Sequence, residues 1–260
     1  MDARRTLSAS FPVHSYEVDA FGALAVPALS GYLQEIAGRH AAELGVGLDL
    51  LRARGLTWVL ARQRLELPRE VALGDTLEIE TWPSGLDRLA ATREFVARRG
   101  DGAEAARATT LWFVLDLETR RPVRPEHVLD PALPRERSPS VAPVAHAKLP
   151  ELAHWELQKR FHVRYADIDQ NLHVTNASYV EWAIEAMPVE LWRGARLAEV
   201  EVQFLAEGRH GTAILSRVAR TGGTGEGQFA HAIVGEEDGK ELARLRTVWT
   251  TRGGAAPSAP

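Results

Sequence analysis

The chain contains no cysteine, which excludes disulfide bonds, thiolate metal sites and a cysteine nucleophile. It also lacks any run of about 18 apolar residues of the kind that crosses a membrane, and its first residues lack the apolar stretch of a secretory signal. The formal net charge is only −4, and basic residues are scattered, so no nucleic-acid partner is indicated. We therefore expect a cytoplasmic protein without membrane insertion.

The composition, with 45% hydrophobic and 25% charged residues among 260, is that of a globular protein large enough for two domains of average size. Seven of the 14 prolines fall between Glu118 and Pro150, a segment without sustained apolar periodicity. This pattern predicts an extended linker over residues 118–158. The glycine-, alanine- and proline-rich end, residues 252–260, is expected to be disordered.

The segments on either side of this linker resemble each other. They share a glutamate, a glycine and a tryptophan at a constant offset of 137 residues, and a tyrosine near the start of each helical pattern corresponds as well. Such self-similarity predicts two structural repeats, residues 1–117 and 159–251. The matching pairs are Glu70 with Glu207, Gly74 with Gly211, Trp112 with Trp249, and Tyr32 with Tyr179.

Each repeat has the pattern of one main helix followed by strands. The first helix is expected to stop at Gly45, and the second to start with Asn176 as N-cap and to end before Pro188. Short glycine-bearing turns between the strands favour an α+β fold with mostly antiparallel sheet. Each helical pattern has one apolar stripe. The stripe of the first helix comprises Leu29, Leu33, Ile36, Ala37, His40 and Leu44, and that of the second helix comprises Tyr179, Val180, Ala183, Ile184 and Met187.

The alternation of apolar and polar residues predicts the strands. In the first repeat they are expected at 11–18, 58–67, 76–82, 90–98 and 106–117, and in the second at 159–165, 198–205, 212–220, 228–235 and 241–251.

A polar cluster precedes the second helix, in the stretch YADIDQNLHVTNASY at residues 165–179. Asp169, Asn171 and His173 supply a carboxylate, an amide and an imidazole, which together can activate water and polarise a carbonyl group. The structural alternative is that Asp169 and Asn171 are turn residues whose side chains hydrogen-bond to their own backbone.

The two repeats differ at this cluster. The first repeat keeps Asp19 but has Phe21 and Ala23 where the second has the asparagine and the histidine. This asymmetry favours the second repeat as the one that carries the catalytic residues.

The run from Asp167 to Asn176, followed by Tyr179 and Trp182, together with the first-repeat stretch from Gly74 to Trp82, resembles the acyl-acyl carrier protein (ACP) thioesterases over roughly residues 10–251. The resemblance implies a tandem, or double, hot-dog fold of two antiparallel sheets, each wrapping one main helix. It places the acyl-chain pocket on the side of the N-terminal repeat and the catalytic residues in the C-terminal repeat. Without the transit peptide of plant members, the chain is similar to a bacterial version.

By position, the resemblance implies the catalytic set Asp169, Asn171, His173 and Glu207. Plant members have a cysteine next to the glutamate, whereas this chain has Gly208. Two mechanisms remain open. Either Asp169 attacks the thioester carbonyl to form an acyl-enzyme anhydride, or Glu207 or Asp169 acts as a general base on water. The first repeat also has a glutamate at the corresponding position, so a glutamate there is not diagnostic alone.

The expected function is hydrolysis of fatty acyl-ACP thioesters in fatty acid biosynthesis. The partners are then ACP and the fatty acyl thioester, without cofactor or metal, in a monomer or homodimer. Alternatives are an acyl-CoA thioesterase, a non-catalytic acyl-binding module, and a hot-dog enoyl-thioester hydratase. The four-residue step from Asp169 to His173, with Leu172 in between, disfavours the hydratase. Candidates for lining the acyl pocket are Leu33, Ile36 and Trp58.

Overall fold

The computed structural model describes residues 5–129, 140–144, 147–222 and 227–252. Contacts divide the chain into two compact units, Met1–Val144 and Ala145–Pro260. Most of the predicted C-terminal tail, residues 253–260, and parts of the predicted linker lie outside the described residues. The boundaries of the two repeats and of the linker stay predictions.

The first unit is an antiparallel sheet with one long helix. The strands stand in the order β1-β3-β4-β5-β2, and β6 pairs with β5. A single 3₁₀ turn, Pro125–His127, follows. The elements are β1 Leu7–Pro12, α1 Val26–Glu43, α2 Leu48–Arg52, β2 Leu56–Glu66, β3 Thr76–Asp87, β4 Ala90–Arg99, β5 Glu104–Asp116 and β6 Pro122–Val123.

The second unit has the same plan. Its strands stand in the antiparallel order β8-β11-β10-β9-β7, and a 3₁₀ turn, Tyr165–Asp167, leads toward its main helix. The elements are β7 Leu157–His162, α3 Asn176–Glu185, α4 Val189–Gly194, β8 Ala195–Phe204, β9 Ala213–Arg220, β10 Gly227–Gly235 and β11 Glu241–Thr251. The predicted antiparallel sheets with few helices are thus present in each unit.

The apolar stripe of α1 is buried as its spacing predicts. Leu29, Leu33, Ile36 and His40 are all buried, and Gly45 follows the helix in the left-handed region at φ +73°. Two of the three candidates for the acyl pocket therefore lie in the layer between α1 and its sheet.

The third candidate, Trp58, belongs to a different cluster. Its Nε1 donates to Val46 O at 2.9 Å, and its ring packs against apolar residues that include Leu51 and Val114.

Several predicted boundaries were wrong. The N-cap of α3 is Thr175 and not Asn176, because the Thr175 hydroxyl, on extended backbone, accepts from Ser178 N at 3.3 Å. The first strand of each unit ends earlier than predicted, at Pro12 and at His162. Val13 N and Val163 N still donate across to Asp75 O and Thr212 O, each at 2.9 Å. The N–H groups of Glu17 and Asp167 that follow bond within turns, to His14 O and Arg164 O.

The residues paired by the offset of 137 adopt the same local structure. Gly74 and Gly211 have φ values of +85° and +79°, a region that favours glycine. Trp112 Nε1 donates to Thr110 Oγ1 at 2.9 Å, and Trp249 Nε1 donates to Thr247 Oγ1 at 3.1 Å. These contacts support the internal repeat.

The fully buried His231 on β10 makes stability depend on pH. Its Nε2 bonds to Thr247 Oγ1 at 2.9 Å, and burial lowers its pKa from 6.5 to about 3. Between these values the unfolded chain takes up a proton that the folded chain does not. The free energy of unfolding should therefore be unaffected above pH 6.5 and fall by up to about 1.4 kcal/mol per pH unit below it.

Urea unfolding of wild type and His231→Gln between pH 7 and pH 4.5 measures this slope. The variant should have a lower stability at pH 7 and a shallower pH dependence, whereas His210→Gln at an exposed histidine should keep the wild-type slope. Equal slopes in wild type and His231→Gln would contradict the assignment.

Candidate active site

Asp169 shapes the loop that carries the predicted polar residues. Its Oδ1 accepts from Asn171 N at 2.8 Å and from His173 N at 3.3 Å, and its own N donates to His173 O at 2.8 Å. Leu172 completes the turn in the left-handed region at φ +62°. The loop therefore holds the asparagine and the histidine at fixed positions after the aspartate.

The first unit contains the same loop without the polar side chains. Asp19 Oδ1 accepts from Phe21 N at 2.9 Å and from Ala23 N at 3.0 Å, and Gly22 has φ +77°. An aspartate at this position thus has a turn-forming role even where no histidine follows, as the structural alternative for Asp169 supposed.

Asp169 has a second carboxylate oxygen that faces a side chain. Its Oδ2 accepts from Asn171 Nδ2 at 3.0 Å. Both oxygens of Asp169 are therefore engaged by N–H donors, and the amide of Asn171 is oriented by the same carboxylate.

Glu207 meets the loop from the segment that follows β8. Its Oε2 lies 3.2 Å from His173 Nε2, and the two side chains are 35% and 31% exposed, respectively. The structure thus brings the four predicted residues together as two pairs, Asp169 with Asn171 and His173 with Glu207. The second pair is close enough to exchange a proton and is accessible to water or substrate.

The hydroxyl of Tyr179 on α3 fixes the backbone around Glu207. It accepts from Gly208 N at 3.0 Å and donates to Ala206 O at 3.4 Å. The side chain is buried, and burial raises its pKa to about 12. The sequence analysis missed this role, and the pairing of Tyr32 with Tyr179 does not indicate it, because the Tyr32 hydroxyl donates to Glu17 Oε2 at 2.5 Å.

Gly208 is packed too closely to carry a side chain. A Cβ at this position would lie 2.8 Å from Val174 Cγ2 and 3.2 Å from the Tyr179 hydroxyl oxygen. Val174 N also donates to Gly208 O at 3.1 Å. This position thus offers no room for a side chain unless Val174 moves.

The other aspartate of the motif, Asp167, is a structural residue. It is buried, and its carboxylate accepts from Arg164 N and from Arg164 Nη2, each at 2.7 Å. Burial acts to raise the pKa of Asp167, but the hydrogen bonds from Arg164 outweigh this effect and leave the pKa below its ordinary value. Asp167 O also accepts from Thr175 N at 2.8 Å, so this residue fixes the approach to α3.

The start of α3 lies next to the polar loop in the chain, since Asn176 follows His173 by only three residues. The first backbone N–H groups of a helix lack intrahelical partners and carry partial positive charge. Such groups can stabilise negative charge on a carbonyl oxygen.

The described residues contain no group of three or more histidine, aspartate or glutamate side chains that could hold a metal ion. No helix in the described part of the chain combines the length and apolarity needed to cross a membrane.

Two family models match the chain. The acyl-ACP thioesterase N-terminal domain matches residues 5–131, and the acyl-ACP thioesterase C-terminal domain matches residues 151–251. Oleoyl-acyl carrier protein thioesterase 1 of Arabidopsis thaliana is 29% identical over 269 residues, which cover 92% of this chain and 74% of the relative. Palmitoyl-acyl carrier protein thioesterase of Cuphea hookeriana is 28% identical over 259 residues, which cover 94% of this chain and 62% of the relative. Both relatives are chloroplastic proteins.

Solved structures share the fold. An acyl-ACP thioesterase from Bacteroides thetaiotaomicron has a TM-score of 0.81 at 23% identity and covers 94% of this chain and 98% of its own. The 12:0-ACP thioesterase from Umbellularia californica has a TM-score of 0.82 at 24% identity, and the match covers 95% of this chain and 98% of that structure. Because the two family models together match most of the chain, it belongs to the acyl-ACP thioesterase family and is a thioester hydrolase.

Proposed function

We propose that the chain hydrolyses fatty acyl-ACP thioesters and releases free fatty acids, with Asp169, Asn171, His173 and Glu207 as the active site. The observation that carries this proposal is the 3.2 Å contact between His173 Nε2 and Glu207 Oε2, because it couples a carboxylate to an imidazole beside a helix start. The relatives named as ACP thioesterases support the choice of carrier.

We further propose that each unit is one hot-dog repeat, so that the chain is a tandem hot dog. The repeats would span residues 1–117 and 159–251, with the linker at 118–158. The polar side chains of the second repeat favour it as the catalytic one. The apolar layer under α1, with Leu33 and Ile36 buried, favours the first repeat for the acyl chain.

Of the two mechanisms, the hydrogen bonds of Asp169 favour general-base catalysis. Its carboxylate accepts from two backbone N–H groups and from the Asn171 amide. Donors that stabilise a carboxylate reduce its tendency to attack a carbonyl carbon. Glu207 is therefore the proposed base, and Asp169 the residue that holds the loop.

In this mechanism Glu207 takes a proton from water, whose oxygen forms the new bond to the thioester carbonyl carbon. The N–H groups at the start of α3 stabilise the negative charge on the carbonyl oxygen. The carbon–sulfur bond then breaks, and the proton passes through His173 to the leaving thiolate. The products are a fatty acid and the free thiol of the carrier, and Glu207 returns to its charged form.

The function is tested by thiol release from C8 to C18 acyl-ACP and acyl-CoA substrates. Wild type should release thiol faster from ACP substrates, and Glu207→Gln should lower kcat by about 10²–10⁴, the range for general-base catalysis. Asp169→Asn should lower kcat by a smaller factor, because the amide oxygen that it introduces still accepts from the loop N–H groups. Asp19→Asn, the matched change in the first unit, should leave kcat near that of wild type.

No release from any folded sample would reject the thioesterase activity, and faster release from CoA would reject ACP as the preferred carrier. Single turnover in ¹⁸O-labelled water tests for the anhydride route. General-base catalysis places label only in the fatty acid, whereas water that attacks the aspartyl carbonyl of an anhydride leaves label in Asp169 and would establish that route.

Tyr179→Phe should impair both stability and turnover, because it leaves the buried Gly208 N–H without its acceptor and releases the backbone that carries Glu207. The expected loss in the free energy of unfolding is about 1–3 kcal/mol, measured in urea. Steady-state kinetics should show a kcat roughly tenfold lower with KM little changed, as for an effect on the transition state alone. The control Tyr32→Phe, which removes the α1 hydroxyl that donates to Glu17 Oε2, should lower stability without this effect on kcat, and equal kcat effects in both variants would refute the positioning role.

Gly208→Ala should lower both stability and kcat, because its Cβ would overlap Val174 Cγ2. The double variant Gly208→Ala/Val174→Ala removes the overlapping methyl group and should recover part of the lost kcat relative to Gly208→Ala. Comparison with Val174→Ala alone completes a double-mutant cycle. Additive effects in that cycle would show that the packing contact does not govern the site.

A further inference from the structure

The side chain of Leu172, at the tip of the polar loop, has no part in the mechanism above. It is 78% exposed, and its backbone lies in the left-handed region at φ +62°. That conformation is unfavourable for leucine, because the Cβ comes close to the following carbonyl oxygen. An apolar side chain that stays in water also gains little from burial. In the free protein, Leu172 is therefore unfavourable both for its backbone and for its side chain.

The first unit shows that the loop forms without a side chain at this position. Gly22 holds the corresponding place at φ +77°. Its N donates to Asp19 O at 3.0 Å, as Leu172 N donates to Asp169 O at 3.0 Å. A Cβ on Gly22 would meet no heavy atom of the described residues within 4 Å, so the glycine suits the backbone angle and does not avoid a clash. The two loops thus differ here by the leucine side chain itself.

Leu172 lies beside the pair that is accessible to substrate. The next residue in the chain, His173, has its Nε2 3.2 Å from Glu207 Oε2, and both of these side chains are partly exposed. Consecutive Cα atoms are about 3.8 Å apart. The leucine is therefore within reach of a group that binds at this pair from the solvent.

The carrier arm is the part of a thioester substrate that leads back to solvent. In acyl-ACP and acyl-CoA alike, the thioester sulfur is joined to a pantetheine arm of methylene and amide groups, and the arm ends at a carrier outside the site. In the mechanism above, the proton passes through His173 to this sulfur, so the arm begins next to Leu172. Its methylene groups can cover the exposed leucine and remove apolar surface from water.

We propose that Leu172 contacts the pantetheine arm of the substrate and increases the affinity for thioesters that carry this arm. The inference rests on the proposed function, since that function places the thioester sulfur beside His173. A contact that is equally strong before and during the reaction lowers KM and leaves kcat unchanged. Substrate binding then offsets the unfavourable leucine of the free protein.

Steady-state kinetics with three substrates of the same acyl chain test the contact: acyl-ACP, acyl-CoA and the S-methyl thioester, which has no arm. Leu172→Gly should raise KM by about five- to tenfold for the first two, as expected for the loss of part of a leucine contact, with kcat unchanged. KM for the S-methyl thioester should stay the same. Leu172→Asn, which tolerates the left-handed region without the flexibility of glycine, should behave like Leu172→Gly, and Leu172→Met should keep most of the affinity.

Three results would overturn the inference. A lower kcat for all three substrates would show that the leucine acts through the geometry of the loop. A higher KM for acyl-ACP alone would show that it meets the surface of the carrier protein and not the arm. An unchanged KM for both arm-bearing substrates would show that it meets neither.

A matched exchange between the two loops measures the effect of the leucine on the free protein. Gly22→Leu should lower the midpoint of urea unfolding, because a Cβ fits there but the backbone angle is unfavourable, and it should leave KM and kcat as in wild type. Leu172→Gly should not lower the midpoint, since relief of the left-handed conformation offsets the flexibility of glycine in the unfolded chain. A clearly lower midpoint for Leu172→Gly would show that the leucine packs in the free protein and would contradict the argument.

Binding of a non-hydrolysable ligand separates this inference from the proposed function. A long-chain S-alkyl thioether of pantetheine keeps the arm but has no thioester carbonyl, and calorimetry measures its affinity without turnover. If no thioester is hydrolysed but Leu172→Gly binds the thioether more weakly than wild type does, the thioesterase function is rejected and the contact stands. Hydrolysis by wild type, with equal affinity for the thioether in wild type and Leu172→Gly, would reject the inference alone.

Discussion

The hydrogen bonds from backbone N–H groups to a single aspartate carboxylate are the constraint on which the site depends. In both units an aspartate accepts from the residues two and four positions later, which closes a tight loop shortly before the main helix. In the second unit this loop carries Asn171 and His173 at those two positions. The same loop with Phe21 and Ala23 has no comparable chemistry, so the loop provides geometry and the side chains provide function.

The two units therefore show how a repeated framework diverges. Backbone features are shared, including the left-handed glycines at Gly74 and Gly211, because the turns require them in either unit. Side chains that do not determine the backbone differ. The second unit has its polar pairs at the loop, and the first has Arg93 and His40 under its helix. Other polar side chains are buried elsewhere in both units, among them Glu94 in the first and His231 in the second.

Much of this could be predicted from the sequence, because periodicity and glycine placement are local properties. The strand positions and the buried stripe of α1 followed from such patterns, whereas the set of four polar residues was expected from the resemblance to the acyl-ACP thioesterases. The Tyr179 bonds to Ala206 O and Gly208 N could not, since they join residues distant in the chain whose approach depends on packing. The cap at Thr175 was missed because Thr175 and Asn176 are both good N-caps, and only the backbone angles distinguish them.

Leu172 shows that the loop is held against a local preference. It occupies the left-handed region at φ +62°, where the first unit has Gly22, and a residue with a Cβ pays about 1–2 kcal/mol for that conformation. Its neighbours over-determine it, because Leu172 N donates to Asp169 O while the same aspartate binds the N–H groups on either side. Strain of this kind persists only where surrounding bonds fix the chain. The rigidity that tolerates Leu172 is therefore the same rigidity that positions His173 against Glu207.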